Sequence, residues 1–90
     1  MSENLRLRIK RLKYRSMHRG TKELDLLLGA FAAAHLDRFS AVEIDNFEAL
    51  LAADERDIYL WLTGQAPVPA RHDTAVMARI LNFEFAKTLS

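Results

Sequence analysis

A chain of 90 residues, half of them hydrophobic and 28 % charged, has the composition of one small globular domain with a modest core, burying about 60 % of its unfolded surface. The absence of cysteine excludes disulfides, thiol nucleophiles and thiolate metal sites and suits a reducing compartment. Net charge is only +1, yet eight cations (Arg6, Arg8, Lys10, Arg11, Lys13, Arg15, Arg19, Lys22) stand in the first 22 residues against Glu3 alone, while five Lys/Arg face eleven Asp/Glu beyond. Such a dipolar field steers partners without naming them.

The opening "MSENLRLRIKRLKY" lacks the apolar run of about 7–15 residues that a signal peptide needs, and residues 1–4 are expected to be disordered. No apolar run reaches the roughly 18 residues of a membrane span, so the chain reads as a soluble protein of the bacterial cytoplasm. Residues 5–16 are ambiguous: "LRLRIK" alternates like a strand, while Leu5, Ile9 and Leu12 fit helical i, i+4, i+7 spacing. Helix is preferred, because no other segment offers a strand to pair with.

From Thr21 to about His35, Leu24, Leu27, Leu28 and Phe31 form a helical stripe. "SAVE" at 40–43 has the form of a capping box, with Ser40 and Glu43 as its two members and Ile44, Phe47 and Leu51 as the buried stripe that follows. Asp54 is the predicted N-cap of a short fourth helix that turns Ile58, Trp61 and Leu62 inward. Gly64 ends it, and "QAPVPA" is an extended connector. A last helix is predicted from about Arg71 to Lys87, with Val76, Ile80 and Phe83 on one side. The sum is an all-α, five-helix bundle forming a single domain over residues 1–90.

Catalytic and metal chemistry are not indicated. His18, His35 and His72 are scattered, and Gly20, Gly29 and Gly64 stand alone, outside any phosphate-cradling loop. No serine sits in a nucleophile-elbow pattern. The chain is therefore read as a non-enzyme with no metal site.

Two stretches remain. In "RGTKE", local physics places Gly20 at an N-cap and Glu23 at N3, reaching back to the cap amide near the positive end of the helix dipole, with Arg19 a solvated cation. Ser, Asp or Asn caps better than Gly, so Gly20 points to a special backbone conformation or to close approach by another backbone. In "ADERDIYLWL", Asp54 caps and Trp61 fills the core, while Asp57 either supports the first turn or faces solvent.

Together, "YRSMHRGTKELDLLL" and "DERDIYLWLTG" resemble the succinate dehydrogenase assembly factor 2 family, whose bacterial members are called SdhE and whose mitochondrial members are flavinators. The family's R-G-x-x-E falls on Arg19, Gly20 and Glu23, and its following L-D on Leu24 and Asp25. Its D-x-x-D-L-x-x-W-L falls on Asp54, Asp57, Ile58, Trp61 and Leu62, with Ile58 replacing the common Leu. Thr21 departs from the Met of many members. The resemblance covers about residues 8–85.

The resemblance implies a maturation factor that helps FAD become covalently attached to a histidine of the succinate dehydrogenase flavoprotein subunit, with fumarate reductase a related client in some bacteria. The bond-forming chemistry would be the flavin's own within the client, so this chain would hold no FAD tightly and would contribute positioning. Gly20 would let the client surface come close. Arg19 would pair with a client carboxylate or a flavin phosphate oxygen, and Glu23 would cap and meet a client base. Asp57 would be a rim contact, and Arg8, Arg11 and Arg15 would steer. Leu24, Asp54 and Trp61 would be structural.

Two other readings compete. The cationic head suggests a nucleic-acid-binding module, against which stand the acidic remainder and the lack of a recognition helix bearing Asn, Gln and Arg on one face. An antitoxin-like regulatory partner is the other. The chain is expected to be a monomer or a weak dimer.

Overall fold

A computed structural model of the chain describes residues 3–83. Among these residues there are five α-helices and no strand: α1 (Glu3–Met17), α2 (Lys22–His35), α3 (Ala41–Leu51), α4 (Glu55–Leu62) and α5 (Ala75–Leu81). Single 3-10 turns at Leu36–Arg38 and Ala70–His72 join α2 to α3 and introduce α5.

The ambiguous first segment is a helix. Ile9 and Leu12 are buried, and Leu5 packs partly against the same core. α1 lies chiefly along α2 and more lightly on α3, so one apolar stripe satisfies its burial without a strand partner. Glu3 and Asn4, expected to be disordered, stand in the first turn of α1, whereas residues 1 and 2 lie outside the described residues.

In α2 the stripe is buried at Leu24, Leu27, Leu28 and Phe31. Phe31, fully enclosed, centres an aromatic group with Phe39, Phe47 and an edge-on Phe83. Gly29 serves close approach: a Cβ there would lie 2.9 Å from Met17 Cγ. The missing side chain lets the end of α1 settle onto α2.

The capping box of α3 is present in both directions. Ser40 Oγ accepts from the Glu43 N–H at 3.2 Å, and the Ser40 N–H donates to Glu43 Oε1 at 2.8 Å. Asp54 occupies the N-cap of α4 but makes no side-chain cap bond. Gly64, at φ +75°, follows the end of α4 as predicted.

The last helix is shorter than its apolar pattern implies. It starts at Ala75, where Thr74 caps by accepting from the Met77 N–H at 3.2 Å, and it ends at Leu81. Arg71 and His72 belong instead to the 3-10 turn after the extended Pro69. Thr74, itself extended, restarts the chain as a new helix. Val76 and Ile80 are buried and Phe83 partly so; Asn82 caps the helix and Phe83 is not helical, against the predicted continuation, of which 84–87 lie outside the described residues.

The uneven charge of the chain folds back on itself. Arg8 of α1 bonds Asp45 at 2.6 Å and Glu48 at 2.5 Å on α3, and Lys13 reaches Asp37 at 2.9 Å. These hydrogen bonds, Glu48 first and Asp45 second, raise the Arg8 pKa above its ordinary value. Arg15 stands 3.8 Å from Glu48. Much of the apparent dipole is thus an internal set of exposed or half-exposed ion pairs, each contributing little stability.

Candidate partner-binding corner

α1 ends at Met17 and the chain turns through His18–Thr21 into α2. The His18 ring stacks on Tyr14, with centroids 4.0 Å apart, and its Nδ1 lies 2.8 Å from the Tyr14 carbonyl oxygen. Gly20 has φ +96°, a conformation that costs a residue with a Cβ about 1–2 kcal/mol. Gly20 is also exposed, so its backbone is open to another surface.

The capping arrangement differs from the expected one. Gly20 cannot be the N-cap, because that position requires extended backbone; Thr21 takes it at φ −110°, ψ 120°, without a side-chain cap bond. Glu23 moves accordingly to the second helical position. It is exposed and makes no hydrogen bond or ion pair among the described residues. The anchor is Asp25, whose Oδ1 accepts the Arg19 N–H at 2.5 Å. The aspartate of the L-D pair thereby has a structural role: it ties the corner to the first turn of α2.

Arg19 is not the solvated cation of the local reading. Its side chain is only 11 % exposed, and Nε lies 3.5 Å from Glu55 Oε1 at the start of α4. Both of those atoms are buried without a hydrogen bond. The second oxygen of Glu55 would stand 3.6 Å from a Cβ built on Gly20. A groove of about 410 Å³ beside the corner is lined by Thr21, Glu23, Glu55, Arg56 and the half-exposed Tyr59.

The other sequence-predicted site residues divide among different places. Asp57 is exposed but does not line this groove; with Asp54 it borders a separate one of about 390 Å³ that also includes Arg71 and His72. Asp54 and Asp57 share a face of α4, and Glu55 is turned about 100° away from Asp54, which separates the two acidic sets. Arg8 is committed to α3. Arg11 is exposed and has no partner among the described residues; it lines a shallow groove with Leu7, Lys10, Tyr14 and Arg15. Leu24 and Trp61 are core residues, as expected.

His72 packs against Trp61 with ring centroids 5.2 Å apart. Burial lowers its pKa, reinforced by the charge of Arg71. Among the described residues no group of three or more His, Cys, Asp or Glu is placed to hold a metal, and no helix is long and apolar enough to cross a membrane.

Sequence reasoning missed Glu55, Arg56 and Tyr59. Glu55 and Tyr59 are one turn apart, so their shared face was readable from spacing; that this face meets Gly20 was not.

The chain is thus a small all-α domain in which a glycine corner stands beside a groove. Comparison with known proteins supplies its family: the family described as flavinator of succinate dehydrogenase matches residues 10–84, and the chain belongs to it. The chain is 37 % identical over 79 residues to the FAD assembly factor SdhE of Acetobacter pasteurianus, covering 88 % of this chain and 72 % of that protein. It is 42 % identical over 78 residues to the mitochondrial succinate dehydrogenase assembly factor 2-A of Drosophila erecta, covering 84 % and 48 %. With the mitochondrial succinate dehydrogenase assembly factor 2 of Mycosarcoma maydis it shares 43 % over 70 residues, covering 78 % and 29 %. The chain thus spans half or less of the length of these two mitochondrial relatives.

Proposed function

We propose that this chain promotes covalent attachment of FAD to the flavoprotein subunit of a succinate dehydrogenase in the bacterial cytoplasm, with fumarate reductase a second client. The family membership supports the activity. The observation that carries the docking site is the exposed Gly20 at φ +96° beside the unpaired Glu23. A partner backbone can approach where no side chain stands, and Glu23 remains available to a basic or hydrogen-bonding group on that partner. Arg11 adds an exposed cation on α1 for steering.

In this reading the chain is not an enzyme and binds no FAD tightly. The flavin belongs to the client, and the helper holds the client's parts in register, a contribution that lowers the barrier by prior ordering. The pairing of Arg8 and Lys13 with acids of the same chain favours this reading over nucleic-acid binding, which needs those cations for phosphates.

Gly20→Arg tests the proposal. The variant is expected to keep its helical circular dichroism, lose co-purification with the flavoprotein subunit, and fail to restore covalent flavin in a deletion strain. The readout is flavin fluorescence that survives denaturation in a gel. Covalent flavin at wild-type level would show that the corner is not the docking surface.

A further inference from the structure

We propose that Glu55 is a positioning residue for the docking corner, holding the Arg19 guanidinium against α4 and so setting where Gly20 presents its backbone. This rests on the docking reading above and adds a residue that neither R-G-x-x-E nor D-x-x-D specifies.

The Glu55 carboxylate spans the Arg19–Gly20 step. Oε1 faces Arg19 Nε at 3.5 Å, and Oε2 lies beneath Gly20, 3.6 Å from where a Cβ would stand. The side chains are 11 % and 29 % exposed, too covered for an ordinary surface pair. A covered cation needs its counter-charge, and removing one member leaves the other poorly solvated. Arg19 is thus held from two directions: its N–H by Asp25 of α2 and its side chain by Glu55 of α4. The glycine between these anchors inherits its placement from both helices. Because Glu55 also lines the groove with Glu23 and Tyr59, a shift at this carboxylate moves the corner relative to the other surfaces a partner would meet.

The test measures the affinity of the purified full-length chain for the recombinant flavoprotein subunit, well below the melting temperature of each variant. Glu55→Gln is expected to weaken binding about tenfold, within the range for coupled neighbouring residues, and to shift the amide resonance of Gly20. Glu55→Asp, which keeps the charge, is expected to recover part of the affinity. In an Arg19→Gln background, Glu55→Gln is expected to add no further loss. Wild-type or tighter binding by Glu55→Gln, or losses that simply add, would overturn the assignment. If Glu55→Gln does not fold, the Arg19→Gln/Glu55→Gln variant, with neither charge left, carries the test: tenfold weaker binding supports the pair and wild-type affinity overturns it. Gly20→Arg separates the two proposals. If it abolishes binding while Glu55→Gln does not weaken it, only the role of Glu55 fails; if Gly20→Arg itself binds normally, the docking corner fails.

Discussion

At the start of α3, Ser40 and Glu43 exchange two hydrogen bonds and close the helix end with their own side chains. At the start of α2, Thr21 makes no cap bond and Glu23 does not reach back. Anchoring there comes from Asp25 farther along the helix and from Glu55 on another one. The first arrangement uses its polar groups on itself. The second leaves Gly20 and Glu23 exposed, with two buried polar atoms lacking hydrogen bonds as the cost. Buried polar atoms without a hydrogen bond are few in native proteins, and here they stand at Arg19 and Glu55, beside the exposed Gly20.

The sharpest way to break this contrast is to remove the anchor at Asp25. Asp25→Ala strips the acceptor from the Arg19 N–H, and an unsatisfied, partly buried donor costs about 1–3 kcal/mol. A lower melting temperature together with weaker binding of the flavoprotein subunit is expected. Unchanged binding would separate the corner's geometry from docking.

The two positive-φ glycines provide a matched comparison. Gly20→Ala and Gly64→Ala should each cost about 1–2 kcal/mol from backbone strain, because a Cβ meets only Glu55 Oε2 at 3.6 Å in one case and nothing within 4 Å in the other. Denaturant midpoints should therefore fall alike, while binding should weaken only for Gly20→Ala. Ser40→Ala should cost about 1 kcal/mol through the lost cap and leave binding untouched, as a closed helix start should.

The smallest effect is expected at His72. Its folded pKa is lowered by burial and by Arg71, so the unfolded chain takes up a proton more readily as pH falls. The stabilisation is full above the unfolded pKa of about 6.5 and is lost as pH drops from there toward the lowered folded value. His72→Gln should flatten the dependence of melting temperature on pH across that window. An equally steep dependence in the variant would assign it to other groups.

Local chemistry was readable where it involved near neighbours. The stripe of α2 and the Ser40–Glu43 box depend on residues three or four apart, and both appeared as expected. The start of α5 was also locally encoded, in Thr74, whose side chain accepts from the Met77 N–H, but the predicted start at Arg71 passed over it. The N-cap of α2 was misplaced by one residue because a glycine before a helix can serve either as cap or as left-handed turn, and spacing does not choose between them.

The amino-acid order alone determined the helical class, the core stripes and a motif pair specific enough to resemble one family, because periodicity and motif spacing are properties of the linear chain. Only the tertiary structure decided that Arg19 turns inward to Glu55, that Arg8 is committed to α3, and that Asp57 lines a different groove from Thr21 and Glu23. Those outcomes depend on how helices distant in sequence pack and on which charge each covered cation meets, and neither is written in the spacing of neighbouring residues.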